Sequence, residues 1–347
     1  MSKTLKSILL ASLVGFAAHA AALDLKPDAP SQYIVKKGDT LWGISEKFTD
    51  NPWQWPEIWH QNNQIENPHL IFPGDEISLI KVDGEIRVTV TRRGEASRTV
   101  KLAPTARVEI VEAAIPTIPQ DAIRGFVRYN QAVTKEQLDK APYILSSHDE
   151  RIRMGAGDKA YASGDFGDKG PAEMYGIYRK GQLFKDPKSK EVLGQEAIDV
   201  GIAKVVSFKD NIATLEITDS NQQIQAGDFL LSIEDREALT GYIPRAPLNP
   251  VNGTIIAVSG GVSQVGQYDM VTINRGQREG VEQGSVLMAK KAGVEVKDPK
   301  TKKKVQLPDE DAGTLLVIRS FEKMSYGLIM RATQPLRVGD KADSPDA

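Results

Sequence analysis

The chain has no cysteine in 347 residues and only four histidines. The first absence excludes disulfide scaffolds, thiolate zinc sites, catalytic cysteines and cysteine-linked lipid anchors. The second leaves little material for metal or triad chemistry, since a zinc peptidase needs several histidines at ligand spacing. A dominant charge sign is missing too. Lys+Arg number 44 against 46 Asp+Glu, a formal net charge of −2, so no global field draws in nucleic acid. Beyond the N-terminal segment no apolar run approaches the ~18 residues of a membrane helix. Aromatic residues make up 6% of the chain, yet all four tryptophans crowd into positions 42, 53, 55 and 59. What remains, 40% hydrophobic and 26% charged, can build cores, and the length suits two or three domains.

The first segment reads as an address. Lys3 and Lys6 precede a short apolar run from Ile8 to Ala18. Ala18-His19-Ala20 fits the small-x-small cleavage rule, and Ala20-Ala21-Ala22 offers a second site. Residues 1–22 are therefore expected to be a signal peptide, cut after Ala20 or Ala22. The mature chain is then expected to be exported and soluble, in a bacterial periplasm.

The tryptophan-bearing segment has an order of its own. Tyr33-Ile34-Val35 is β-prone and Lys37-Gly38-Asp39 signals a turn. Thr40 can cap a helix whose apolar positions Leu41, Ile44 and Phe48 share one face. Asn51-Pro52 breaks the chain, and Pro56 suits the first turn of a second helix that places Trp55 and Trp59 on one side. Pro73-Gly74-Asp75 turns into the alternating strand Ile77-Ser78-Leu79. The order β-α-α-β lets the two end strands pair. In a module this small Trp42, Trp55 and Trp59 serve more often as core than as an exposed platform.

The opening Tyr33-Ile34-Val35-Lys36-Lys37-Gly38-Asp39-Thr40-Leu41-Trp42 and the closing Ile58-Trp59, Asn62 and Asn67-Pro68-His69-Leu70-Ile71-Phe72-Pro73-Gly74-Asp75 resemble the two halves of a LysM domain, over residues 32–80. The resemblance implies binding of N-acetylglucosamine-containing glycan, in peptidoglycan or chitin, by a shallow groove between two loops. Carried over, those loops are Gly38, Asp39, Thr40 and Leu41, and Asn67, Pro68, Leu70 and Ile71. Loop backbone groups can pair the acetamido N–H and C=O, and Leu or Ile can cover its methyl. Residues 33–80 hold three Lys and seven acids, a local charge of about −4 that suits a neutral sugar.

From Lys81 the texture becomes β. Ile86, Val88 and Val90 alternate with polar residues, so 81–119 reads as a β-containing linker ending in the stiff spacer Ile115-Pro116-Thr117-Ile118-Pro119. Thr134-Lys135-Glu136-Gln137 is a capping-box pattern for a short helix. The rest of 120–343 is expected to be β-rich. Three stretches share a layout of glycine-led strand, second strand and turn. They open at Gly201, Gly253 and Gly313 and close at Gly227-Asp228, Gly280–Gly284 and Gly339-Asp340, the first and third at equal distance. Such duplication predicts hairpins assembled into small barrels. The basic run from Lys300 to Lys304 is expected in a solvated loop.

Catalysis finds little support. A glycan hydrolase needs two flanking carboxylates. His148-Asp149-Glu150 is the most provocative cluster, but neighbouring strand residues face opposite sides, and a charged turn is the plainer reading. The glycine–aspartate pairs at 157–158 and 164–168 read as turns rather than phosphate or calcium loops. No catalytic residue, metal or cofactor is expected.

Further strings extend the resemblance. Asn51-Pro52-Trp53-Gln54-Trp55-Pro56-Glu57-Ile58-Trp59, the run from Ile115 to Ile123, Ala141-Pro142-Tyr143-Ile144 and Ile273-Asn274-Arg275-Gly276-Gln277-Arg278-Glu279-Gly280-Val281 are similar to the LysM proteins associated with the type IV pilus secretin. Those carry a C-terminal region like that of flagellar basal-body protein T. The resemblance implies a non-enzymatic periplasmic protein that ties an outer-membrane secretin ring to peptidoglycan. Two alternatives stand beside it: a wall-binding or maintenance protein with no secretin partner, and a peptidoglycan hydrolase.

Overall fold

The computed structural model describes residues 25–56, 71–82, 85–91, 116–118, 131–167, 170–233, 242–258 and 264–345. The expected signal peptide lies outside them. Among the described residues no helix is long and apolar enough to cross a membrane.

The first unit is a small three-stranded sheet with one helix. Strands β1 (Gln32–Ile34), β2 (Glu76–Val82) and β3 (Glu85–Thr91) pair antiparallel in that order. Tyr33 lies opposite Ile77, so the two ends of the segment do pair. Helix α1 (Leu41–Phe48) follows the expected periodicity: Leu41, Ile44 and Phe48 are buried with Val35, Trp55, Ile71 and Ile77 in one core. Thr40 caps it, its hydroxyl accepting from the Gly43 N–H at 3.0 Å. Trp55 and Pro56 are helical. The body of the second expected helix, with Trp59 and Asn62, lies outside the described residues. One boundary differs from expectation. The strand of Ile86 to Val90 is the third strand of this sheet, in full register with β2, and not linker.

Most of the remaining strands form two closed rings. After β4 (Gln131–Val133) and α2 (Lys135–Lys140) come β5 (Tyr143–Ser147), β6 (Lys159–Ser163), β7 (Met174–Lys185), β8 (Val192–Lys209), β9 (Ile212–Ser220) and β10 (Phe229–Ser232). They pair around a circuit β5-β6-β9-β8-β7-β10 that closes on β5, with β4 added at the outside of β8. The second set is β11 (Asn252–Val258), β12 (Met270–Ile273), β13 (Val286–Lys291), β16 (Glu310–Ser320), β17 (Ser325–Ala332) and β18 (Lys341–Asp343). Its circuit is β11-β12-β17-β16-β13-β18. Taken in chain order, the two circuits are the same: first, second, fifth, fourth, third, sixth. The hydrogen bonds repeat as well. Ile144 exchanges bonds with Asp228 and Gly227, and Ile255 does so with Asp340 and Gly339, all at 2.8 Å. Bulges interrupt β8–β9 and β16–β17 at matching places. The C-terminal region is thus one six-stranded barrel present twice.

This duplication explains the sequence pattern. The stretches at Gly201 and Gly313 are the same hairpin of the two barrels, β8–β9 and β16–β17. The stretch at Gly253 is a different hairpin, β11–β12, and its spacing is loose for that reason. The α2 capping box forms as its pattern requires, Thr134 and Gln137 bonding reciprocally. The lysine run is solvent-exposed as expected, and it closes a short hairpin of β14 (Glu295–Lys297) and β15 (Lys304–Gln306), with Asp298 receiving the Lys300 N–H and the Thr301 hydroxyl.

Strand alternation gives the second barrel two apolar faces. Ile255, Val271, Ile273, Leu287, Leu315, Val317 and Ile329 fill its inside. Met270, Leu316, Ile318, Tyr326, Leu328 and Met330 form an outer layer. That layer is covered by Phe184 and Leu193 from the β7–β8 arm, by Tyr242, by Ile118 and by Trp42. The arm is also pinned by polar contacts. Asp186 accepts from Asn274 Nδ2 at 2.6 Å, and Glu191 pairs with Arg278 and Lys323, each at 2.9 Å.

Candidate glycan site

The loop opening the first unit is built by a turn that occurs six times among the described residues. In each, an aspartate carboxylate accepts the backbone N–H three residues earlier, at 2.8–3.0 Å, and the residue before the aspartate has positive φ. The aspartates are Asp39, Asp75, Asp158, Asp228, Asp269 and Asp340. Gly38 and Gly74 supply the positive φ in the first unit, at 93° and 95°, with open space where a side chain would start. Their requirement is conformational and not steric.

The two turns lie side by side. The Gly74 N–H donates to the Val35 carbonyl at 2.8 Å and the Val35 N–H to the Asp75 carbonyl at 2.9 Å. One oxygen of Asp39, Oδ2, is engaged in this frame: it accepts the Lys36 N–H at 2.8 Å and the Tyr33 hydroxyl at 2.9 Å. Burial, the bond to Asp39 and its negative charge push the Tyr33 phenol up to about 12. Through that oxygen Asp39 clamps the loop.

Gly38, Asp39, Thr40 and Leu41 run consecutively from the turn into α1, with Thr40 and Leu41 buried. Asn67, Pro68 and Leu70 lie outside the described residues, so of the second expected loop only Ile71 is described. Two expectations change. The side chains of Leu41 and Ile71, each 1% exposed, are in the core of the unit and cannot cover an acetamido methyl. What Leu41 presents is its backbone. The N–H groups of Leu41 and Trp42 are free of intrahelical partners, as first-turn donors must be. They donate instead to the carbonyls of Pro116 and Thr117, both at 3.0 Å. The expected spacer thus runs across the start of α1 as a strap, a contact between segments far apart in sequence. Trp42 (2% exposed) and Trp53 turn away from the unit's own core and join the outer layer of the second barrel, whereas Trp55 is core as expected.

Elsewhere the clusters resolve into turns. His148 and Asp149 form an exposed pair at the end of β5, 2.9 Å apart. The carboxyl of Asp149 is held low by its bond from His148. Asp158 clamps its own turn. Among the described residues no group of three or more His, Asp or Glu could hold a metal ion.

Residues 33–79 match the family model described as LysM domain. Over 61 residues the chain is 39% identical to a protein named Uncharacterized protein YqbP from Bacillus subtilis (strain 168), covering 15% of this chain and 28% of that protein. The paired turns, the capped helix and the end-strand pairing are therefore those of a LysM domain, a binding fold for carbohydrate of the peptidoglycan and chitin class.

Proposed function

We propose that the protein is a non-enzymatic adaptor of the bacterial periplasm. Its LysM domain holds peptidoglycan glycan strands, and its paired barrels engage an outer-membrane secretin ring of the type IV pilus. The observation that carries the glycan half is the LysM match at 33–79, with the Gly38–Leu41 rim presenting backbone donors. An acetamido carbonyl can take the place of the strap carbonyls at Leu41 and Trp42, with Asn67, Pro68 and Leu70 completing the second rim. The partner half rests on the sequence resemblance. A shallow groove binds weakly, but many copies around one ring meet the same glycan mesh, and effective concentration makes the attachment firm.

Two measurements separate the halves. Sedimentation with purified peptidoglycan tests wall binding, which a Gly38→Val variant should weaken. A pull-down from detergent-solubilised envelope tests the partner. Recovery of a secretin supports the adaptor. Sedimentation without a secretin leaves a wall-binding protein of another task, and release of soluble muropeptides would favour a hydrolase.

A further inference from the structure

The strap at the glycan rim belongs to a larger contact that the two barrels, compared with each other, mark as built. On the outer face of β8–β9 the cross-strand pair is Lys204 opposite Glu216. At the same place in the second barrel it is Leu316 opposite Leu328. Exposed Thr218 corresponds to buried Met330, and half-exposed Val206 to Ile318, which is 2% exposed. One barrel wears water on this face. The other wears a dry surface that takes in Trp42 of the LysM domain and Ile118 of the strap.

We propose that the chain has a closed state in which its own strap, Pro116–Ile118, occupies the edge of the glycan groove while the LysM domain is seated on the second barrel, and that glycan must displace the strap to bind. This rests on the wall-binding reading above. The strap mimics the ligand where it matters, because two carbonyls satisfy the Leu41 and Trp42 donors as acetamido carbonyls would. The seat is also poised to open. The indole N–H groups of Trp42 and Trp53 are buried, and among the described residues neither has an acceptor. Opening returns both to water, which lowers the barrier to release. Free LysM modules would bind wall only in the open fraction, so the apparent affinity is the intrinsic one reduced by that fraction.

The test compares the full chain with Ile118→Glu, which expels the strap, and Leu328→Glu, which gives the seat the residue that the first barrel carries at the matching place, Glu216. Each is sedimented with purified peptidoglycan. Tryptophan emission is followed on titration with an N-acetylglucosamine hexamer, and reports the LysM domain alone because all four tryptophans lie at 42–59. The expected result is wall binding about tenfold tighter in both variants, for an open fraction near one in ten. Emission of the unaltered chain should shift red with the hexamer, and emission of the variants should start there. Equal binding by all three proteins overturns the closed state and leaves wall binding intact. Absence of binding in all three overturns both. If Ile118→Glu loses its β circular dichroism, Leu328→Glu decides, since the first barrel folds with glutamate at that place.

Discussion

Single residues in this protein act mostly through turns. Gly38 and Gly74 hold a backbone that other residues reach only with strain, and open space surrounds both. Gly74→Ala is expected to destabilise the LysM unit by about 1–2 kcal/mol through backbone strain alone, read as an earlier tryptophan unfolding transition in urea. Asp228 does more than clamp its turn. It is 2% exposed at its side chain and receives Arg179 at 2.9 and 2.8 Å, a bidentate pair whose bond holds the guanidinium above its ordinary pKa. Replacing Asp228 by Ala strands a partly buried arginine and frees the turn. The expected loss is about 3 kcal/mol, measurable as a lower unfolding midpoint by circular dichroism. Turn glycines and aspartates were legible one by one from their dipeptides. That the same clamp recurs became visible only when each carboxylate was seen returning to the N–H three residues back.

At the scale of elements, the β7–β8 arm joins the two barrels. Its polar anchors are acids. Burial works to raise the Asp186 carboxyl, but bonds from the Ser189 and Lys188 backbone and from Asn274 outweigh it and hold it at about 2. Glu191 is held at about 2 by Arg278 first and Lys323 second. Both folded values lie below the ordinary carboxylate range of about 4. Their contribution is therefore present above pH ~4 and is lost as pH falls toward 2. Calorimetric Tm should drop across that window, and should drop less in an Asp186→Asn, Glu191→Gln double variant, which has already given up the ionised contacts. A single transition splitting into two in that variant would identify the arm as the joint between barrels. Helix α2 and the Thr40 cap needed no such context. Their capping patterns act within four residues and formed as read. The hairpin under the lysine run escaped detection because three-residue strands such as Glu295–Lys297 carry too little alternation to stand out among charges.

The whole molecule is a LysM domain followed by one barrel fold used twice, and the copies have diverged by function of face. The first barrel covers its outer cluster of Val133, Tyr178, Ala197 and Phe229 with neighbours from its own segment, Leu138 and Ala141. The second borrows cover from the LysM domain, the strap and the arm. Under the closed state proposed above, binding of glycan and packing of the molecule are linked, since Leu41 and the seated Trp42 are adjacent residues. A chain in which Leu316 and Leu328 are replaced by the Lys204 and Glu216 of the other copy should keep its barrel core, lose the seat, and show tryptophan emission shifted red without ligand.

What the amino-acid sequence by itself determined is everything read over a few residues: the turns, the capped helices, the strand alternation, the LysM resemblance and the repeat of a hairpin. These depend on local backbone preference and on side-chain periodicity, which no distant segment has to complete. Only the tertiary structure decided that Ile86 to Val90 extends the LysM sheet, that the hairpins close into rings, that Leu41 and Ile71 turn inward, and that Pro116 and Thr117 pair with the start of α1. The physical reason is one of reach. Donors at Leu41 and Trp42 and carbonyls at Pro116 and Thr117 are ordinary backbone groups, carrying no signature of their partners, and they meet because the apolar face of a distant barrel seats Trp42 and Ile118 together.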